Sequence, residues 1–138
     1  MKIFCETLHI QTQGRGLVDV TAKVDACVAR SAIRDGLCAV FLRHTSASLL
    51  VQENADPSVQ RDLERWLAAL APEAADYEHD AEGPDDMPAH LRAAVLRTSE
   101  QLPVRDGRLA LGTWQALYVY EHRREPHSRT LELTVLGS

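Results

Sequence analysis

The dipeptide Asp106–Gly107 constrains this chain most. It separates "QLPVR" from "RLAL", and Asp-Gly between two β-type runs is a strong signal for a two-residue hairpin turn, because both central residues of such a turn need positive φ. An antiparallel pairing is therefore expected late in the chain. The segments that follow, "TWQALYVYEH" and "RTLELTVLG", read as two more strands joined by a loop holding Pro126. Near the start, "KIFCETLHIQTQ" reads as a strand stopped at Gly14–Gly16, and "GLVDVT" as another. "LCAVFLRH" is a continuous β-type run, and "ASLLVQE" follows it after a turn at His44–Ser46.

Helical spacing appears between these runs. "AKVDACVARSAIRDG" places Val24, Cys27 and Val28 on one side and stops at Gly36. "DPSVQRDLERWLAALAP" is the clearest helix: Asp56 suits the N-cap, Pro57 the first turn, and Val59, Leu63, Trp66, Leu67 and Leu70 form one apolar face. A short third helix is expected from Pro88, with Leu91, Ala94 and Val95 facing inward. Strands at both ends and helices between them predict an α+β fold, mostly antiparallel sheets with two or three helices packed against them, in a single domain over residues 1–138.

Composition narrows the function. The formal net charge of −5 argues against nonspecific binding to nucleic acid or anionic membrane. No apolar run approaches the ~20 residues of a membrane helix, and "MKIFCETLHI" lacks the apolar core of a secretory signal, so a cytoplasmic location is expected. Cys5, Cys27 and Cys38 lie far apart among apolar neighbours and read as buried free thiols.

Polar residues that keep apolar phase point to a site. Alternation along a strand puts Gln115 and Glu121 with Leu117 and Val119, and Arg129 with Leu131, Leu133 and Val135. A carboxylate at a core edge needs a partner. Glu121 and Arg129 are therefore either an ion pair closing a hairpin, or the polar floor of a pocket in which Arg129 binds an anion with Gln115 nearby. His44 follows Cys38, Val40 and Leu42 in phase; alone it is a core-edge histidine. His79 and His90 change that reading. His79 lies within an acidic, turn-rich stretch, residues 72–89, which is long for a structureless loop, and His90 lies near the start of the short helix after it. Three imidazoles from a strand end, a loop and a helix start suit an open three-ligand site for a divalent metal, zinc first, with Glu53, Asp56, Asp80 and Asp85 as supporting acids. His122 and His127 lie in the basic stretch "EHRREPHSR", as anion contacts or solvated groups. His9 reads as structural.

Four phrases, "HTSASLLVQENADPSVQRDLERWL", "YEHDAEGPDDMPAHLR", "PVRDGRLALGTWQALYVYEHR" and "RTLELTVLG", together resemble the YjbQ family, whose members carry the label of secondary thiamine-phosphate synthases. The resemblance implies a compact α+β subunit in a homotrimer, with sites near the subunit boundaries and a divalent metal held by His44, His79 and His90. The family motif also covers Glu53, Asn54, Asp56, Gln115, Glu121 and Arg129. Ser46 stands where many members have threonine, and "EHRREPHSR" where several read "EFDGPRxR". The implied reaction joins hydroxymethylpyrimidine diphosphate to a thiazole phosphate, giving thiamine phosphate and pyrophosphate. In it Thr45, Ser46, Asn54, Gln115 and Arg129 would contact substrate, and Glu53, Asp56 and Glu121 would serve as acids or bases, Asp56 having its competing role as a helix cap. A metal-assisted hydrolase uses the same parts. The other class is a non-catalytic binder of a metal or an anionic metabolite.

Overall fold

The computed structural model describes every residue, Met1–Ser138. The chain runs β1 (Lys2–Gln11), β2 (Gly16–Asp19), α1 (Thr21–Ser31), β3 (Gly36–Leu42), β4 (Ala47–Glu53), α2 (Pro57–Leu70), α3 (Asp86–Val95), β5 (Ser99–Arg105), β6 (Arg108–Leu109), β7 (Gln115–Glu121) and β8 (Ser128–Gly137). Every strand pair is antiparallel. The fold is α+β, as the order of runs predicts. Asp106 and Gly107 have φ of 51° and 77°, the positive values that the tight turn between β5 and β6 requires.

The strands form two sheets, a five-stranded one ordered β1-β8-β3-β5-β6 and a three-stranded one ordered β2-β7-β4. They share one core. Cys38, Val40, Leu42, Leu131, Leu133 and Val135 from the larger sheet meet Ala47, Leu49, Leu117 and Val119 from the smaller, with Val24, Cys27 and Val28 of α1 among them. A second apolar cluster lies on the other face of the small sheet, where Leu50, Ala116, Tyr118 and Tyr120 pack with Leu67 of α2. Strand β7 is therefore buried on both faces from Ala116 onward. In the large sheet Gly36 lies opposite Gly137, and a Cβ on Gly36 would stand 2.0 Å from the Leu136 carbonyl oxygen.

Four expectations need correction. Strands β7 and β8 belong to different sheets, so Glu121 and Arg129 do not close a hairpin; they join the two sheets across the connection between them. Helix α3 starts at Asp86, with Pro88 inside its first turn where the missing N–H costs nothing. That shifts its phase: Asp86, Pro88, Ala89 and Arg92 face inward, while Ala94 and Val95 are exposed. On α2 only Leu67 is fully buried, and Trp66 and Leu70 lie open to solvent. Cys5 is exposed, on the outer face of strand β1, whereas Cys27 and Cys38 are buried and free. Burial pushes the thiol of Cys38 up to about 12 and that of Cys27 up to about 11, so both stay protonated.

Candidate metal and anion site

Three segments converge at one end of the small sheet. They are the turn His44–Ser46 between β3 and β4, the connection after β7, and the acidic loop leading into α3. Glu121 closes β7 with its carboxylate fully buried. It accepts hydrogen bonds from Thr12 Oγ1 (2.7 Å), Arg129 Nε (2.7 Å), Arg129 Nη2 and the Arg123 backbone N–H (3.1 Å). Burial alone would raise this carboxyl; the hydrogen bonds from Arg129 and Thr12 outweigh it and hold it below the usual range. So occupied a carboxylate has no lone pair left for a proton in transit. Glu121 is a structural anion rather than a base.

Arg129 is nearly as enclosed. Its Nη2 also reaches the Ser46 carbonyl (3.2 Å) and Ser46 Oγ (3.0 Å), so it is not the free anion clamp that its phase suggested. Only Nη1 is uncommitted to an oxygen, and it lies 3.3 Å from His44 Nδ1. The other nitrogen of His44, Nε2, accepts the backbone N–H of Thr130 at 2.8 Å. A neutral imidazole has one lone-pair nitrogen. With that lone pair spent on Thr130, His44 has none to give a metal. Burial, and then the charge of Arg129, lower its pKa and keep the ring neutral.

The two other expected ligands do come together, around a carboxylate that the sequence reading passed over. The metal-binding nitrogens of His79 and His90 and a carboxylate oxygen of Asp86 lie within 4.8 Å of one another. His79 Nε2 is 2.7 Å from Asp86 Oδ2, and His90 Nε2 is 3.5 Å from the same oxygen. His90 Nδ1 donates to the Thr45 carbonyl at 3.0 Å, which fixes its tautomer and leaves the Nε2 lone pair facing the cluster. Arg123 holds the opposite side: its Nη1 donates to Asp86 Oδ1 and its Nε to Asp85 Oδ2, each at 3.0 Å, and its Nη2 to the Glu82 carbonyl at 2.9 Å. Burial acts to raise the Asp86 carboxyl, but the hydrogen bond from His79 and the charge of Arg123 hold it below its usual range.

Two imidazoles and one carboxylate are a donor set that divalent zinc or iron accepts. Each of two donors is oriented from behind, His90 by a carbonyl and Asp86 by a guanidinium, as metal ligands commonly are. The residues present therefore fit the expected metal, with Asp86 in place of His44. Asp86 and His90 are four apart, on one helical face. Starting the helix at Pro88 hides that relation; starting it two residues earlier reveals it. Nothing local in the sequence points to Arg123.

Glu53, Asn54, Asp56 and Gln115 do not join this cluster. The register pairs Ala47 with Glu121 and Glu53 with Gln115, so these groups stand at the far end of the small sheet, about 20 Å away at ~3.3 Å per residue. Asp56 caps α2 by accepting from Ser58 N–H (2.9 Å), Glu53 accepts from the Asp56 N–H (3.2 Å), and Gln115 Oε1 accepts from the Gly112 N–H (2.8 Å). Thr45 is exposed beside His90, its carbonyl already used. Asp80 lines a cavity of about 340 Å³ beside His79, with Asp76, Glu73 and Met87. A larger cleft, about 520 Å³, lies elsewhere, between α2 and the β2–β7 side of the sheet. His122 is fully buried against Ser48 Oγ at 2.9 Å, so it is neither solvated nor an anion contact; His127 keeps its Nδ1 on the Glu125 carbonyl at 2.7 Å, and His9 is exposed on β1.

The model of the family described as UPF0047 protein YjbQ-like matches residues 6–138. The chain belongs to the YjbQ family. Among its relatives, a UPF0047 protein of Synechocystis is 51% identical over 133 residues, covering 96% of this chain and 90% of the relative. YjbQ of Escherichia coli O157:H7 is 41% identical over 133 residues, covering 96% of each chain. Among solved structures, a YbjQ-like protein of Sulfolobus solfataricus superposes with a TM-score of 0.90 at 25% identity, over 99% of both chains. A YjbQ family protein of Clostridium acetobutylicum superposes with a TM-score of 0.87 at 33% identity, over 95% of this chain and 99% of that one. The fold is thus shared with both solved structures, and no helix of this member is long and apolar enough to cross a membrane.

Proposed function

We propose that this YjbQ family protein is a metal-dependent enzyme acting on a phosphorylated small molecule, with a divalent cation, zinc first, on His79, Asp86 and His90. The observation that carries the reading is the close approach of their three ligand atoms, within 4.8 Å. A set of three protein donors is the count of a catalytic zinc site, whereas structural sites use four. The guanidiniums of Arg129 and Arg43 lie on the adjoining segments, and Arg129 Nη1 is uncommitted to an oxygen, which favours an anionic substrate at this end.

The reaction proposed is the one the family label implies. The carbon–oxygen bond to the diphosphate of a hydroxymethylpyrimidine breaks, a carbon–nitrogen bond to the thiazole ring forms, and pyrophosphate leaves. A bound divalent cation supplies Lewis-acid neutralisation of the leaving diphosphate. The protein's part is orientation: Arg123 holds Asp86, the Thr45 carbonyl holds His90, and the Glu121–Arg129 pair fixes the turn that carries both His44 and Thr45. The proposed assembly is a homotrimer; the exposed Trp66, Leu70 and Trp114 on one chain favour association.

Elemental analysis tests the metal. About one zinc per chain is expected in the parent and in His44→Ala, and loss of most of it in His79→Ala, His90→Ala and Asp86→Asn. A parent protein that takes up no divalent metal removes the reading. Pyrophosphate release on mixing the two substrates tests the reaction, and its absence with metal bound leaves the reaction, not the site, disproved.

A further inference from the structure

The contact between His44 and Arg129 is unusual in what it lacks. A backbone N–H cannot turn away or change its proton, so the 2.8 Å contact from Thr130 fixes His44 Nε2 as the acceptor. The proton of the neutral ring must then sit on Nδ1. That nitrogen faces Arg129 Nη1 at 3.3 Å, and a guanidinium has donors only. Two N–H donors stand 3.3 Å apart with no acceptor between them. Arg129 cannot swing away, because its side chain is 4% exposed and pinned by Glu121 and Ser46. An unpaired donor at that depth is costly unless something accepts from it.

We propose that His44 Nδ1–H and Arg129 Nη1–H together form a subsite for one oxygen of a phosphate group. The geometry admits it: an oxygen about 2.8 Å from each nitrogen closes a triangle on their 3.3 Å separation. The site is half-open, since His44 is partly exposed and Thr45 beside it is exposed. It lies next to the metal cluster, because the carbonyl of Thr45 is the one that holds His90. His44 thereby acts as a substrate-binding donor and not as a metal ligand. This deepens the proposed function and rests on its phosphorylated substrate.

The test uses the full chain, with and without added zinc, and inorganic phosphate as the probe. Side-chain nitrogen NMR of the parent reads the tautomer: a His44 proton on Nδ1 is expected, and its resonance should move on phosphate addition. Calorimetry should show phosphate affinity about tenfold weaker in His44→Phe, the loss of one charge-assisted contact's partner, with zinc content unchanged. A proton on Nε2, or a His44 resonance unmoved by phosphate, leaves the position to water and overturns the proposal. So does equal phosphate affinity in His44→Phe. Loss of zinc in that variant makes His44 a ligand and also overturns it. Failure to bind zinc in every form instead defeats the metal reading while the phosphate measurements still stand.

Discussion

Mild acid should destabilise this protein through one histidine in particular. His122 is fully buried, its Nε2 is 2.9 Å from Ser48 Oγ, its Nδ1 has no protein partner, and its ring packs at a 46° tilt against Tyr120, with ring centres 4.7 Å apart. Burial, followed by the charge of Arg92, pushes its pKa down to about 3 from an ordinary 6.5. The unfolded chain takes up a proton as pH falls through 6.5, and the folded chain does not until about pH 3. Stability is therefore intact above 6.5 and is lost progressively between those values. Each full unit is worth about 1.4 kcal/mol. Allowing for half-protonation of the unfolded chain at the upper limit, a drop from pH 6.5 to 4.5 costs about 2 kcal/mol from this group alone. The perturbation is His122→Phe, which fills the same space without titrating. Urea unfolding of parent and variant at pH 6.5, 5.5 and 4.5, at one protein concentration, reads the difference. The variant starts from a lower stability, because Ser48 loses its partner, but should lose about 2 kcal/mol less over the interval. His44 also has a lowered pKa and adds a loss of the same sign to both proteins. Equal losses in the two would refute the assignment of a neutral, buried His122.

Glu121→Gln should cost about 3–5 kcal/mol in urea unfolding, because it strands the guanidinium of Arg129 in the interior; the double change with Arg129→Met should recover much of it, and an additive double loss would count against a coupled pair. Gly36→Ala should reduce the yield of folded protein or lower stability by at least about 3 kcal/mol, since its Cβ meets the Leu136 carbonyl oxygen at 2.0 Å; an unperturbed melting temperature would show that β3 and β8 approach less closely.

Much of the architecture was legible because it is written in short range. The Asp-Gly turn, the Asp56–Pro57 helix start and the two-residue alternation of β8 each depend on neighbours a few positions away. The errors have a common source. The sequence shows which residues share a face of an element but not which element covers that face. Ala94 and Val95 are apolar and helically spaced, yet the buried side of α3 is the one carrying Asp86 and Arg92, because Arg92 reaches Glu64 on α2. Gln115 and Glu121 do alternate together, but the strand between them separates them by its whole length.

The site divides the same way. Local sequence determined that His44, Glu121 and Arg129 keep apolar phase, and a polar group there must be paired or used. Long-range pairing decided the rest. Only the packing of three distant segments brings Asp86 to the two imidazoles, sets Arg123 behind it, and spends the His44 lone pair on Thr130. Which atom is left over for a metal or an anion is a property of the completed hydrogen-bond network, and no single stretch of chain contains it.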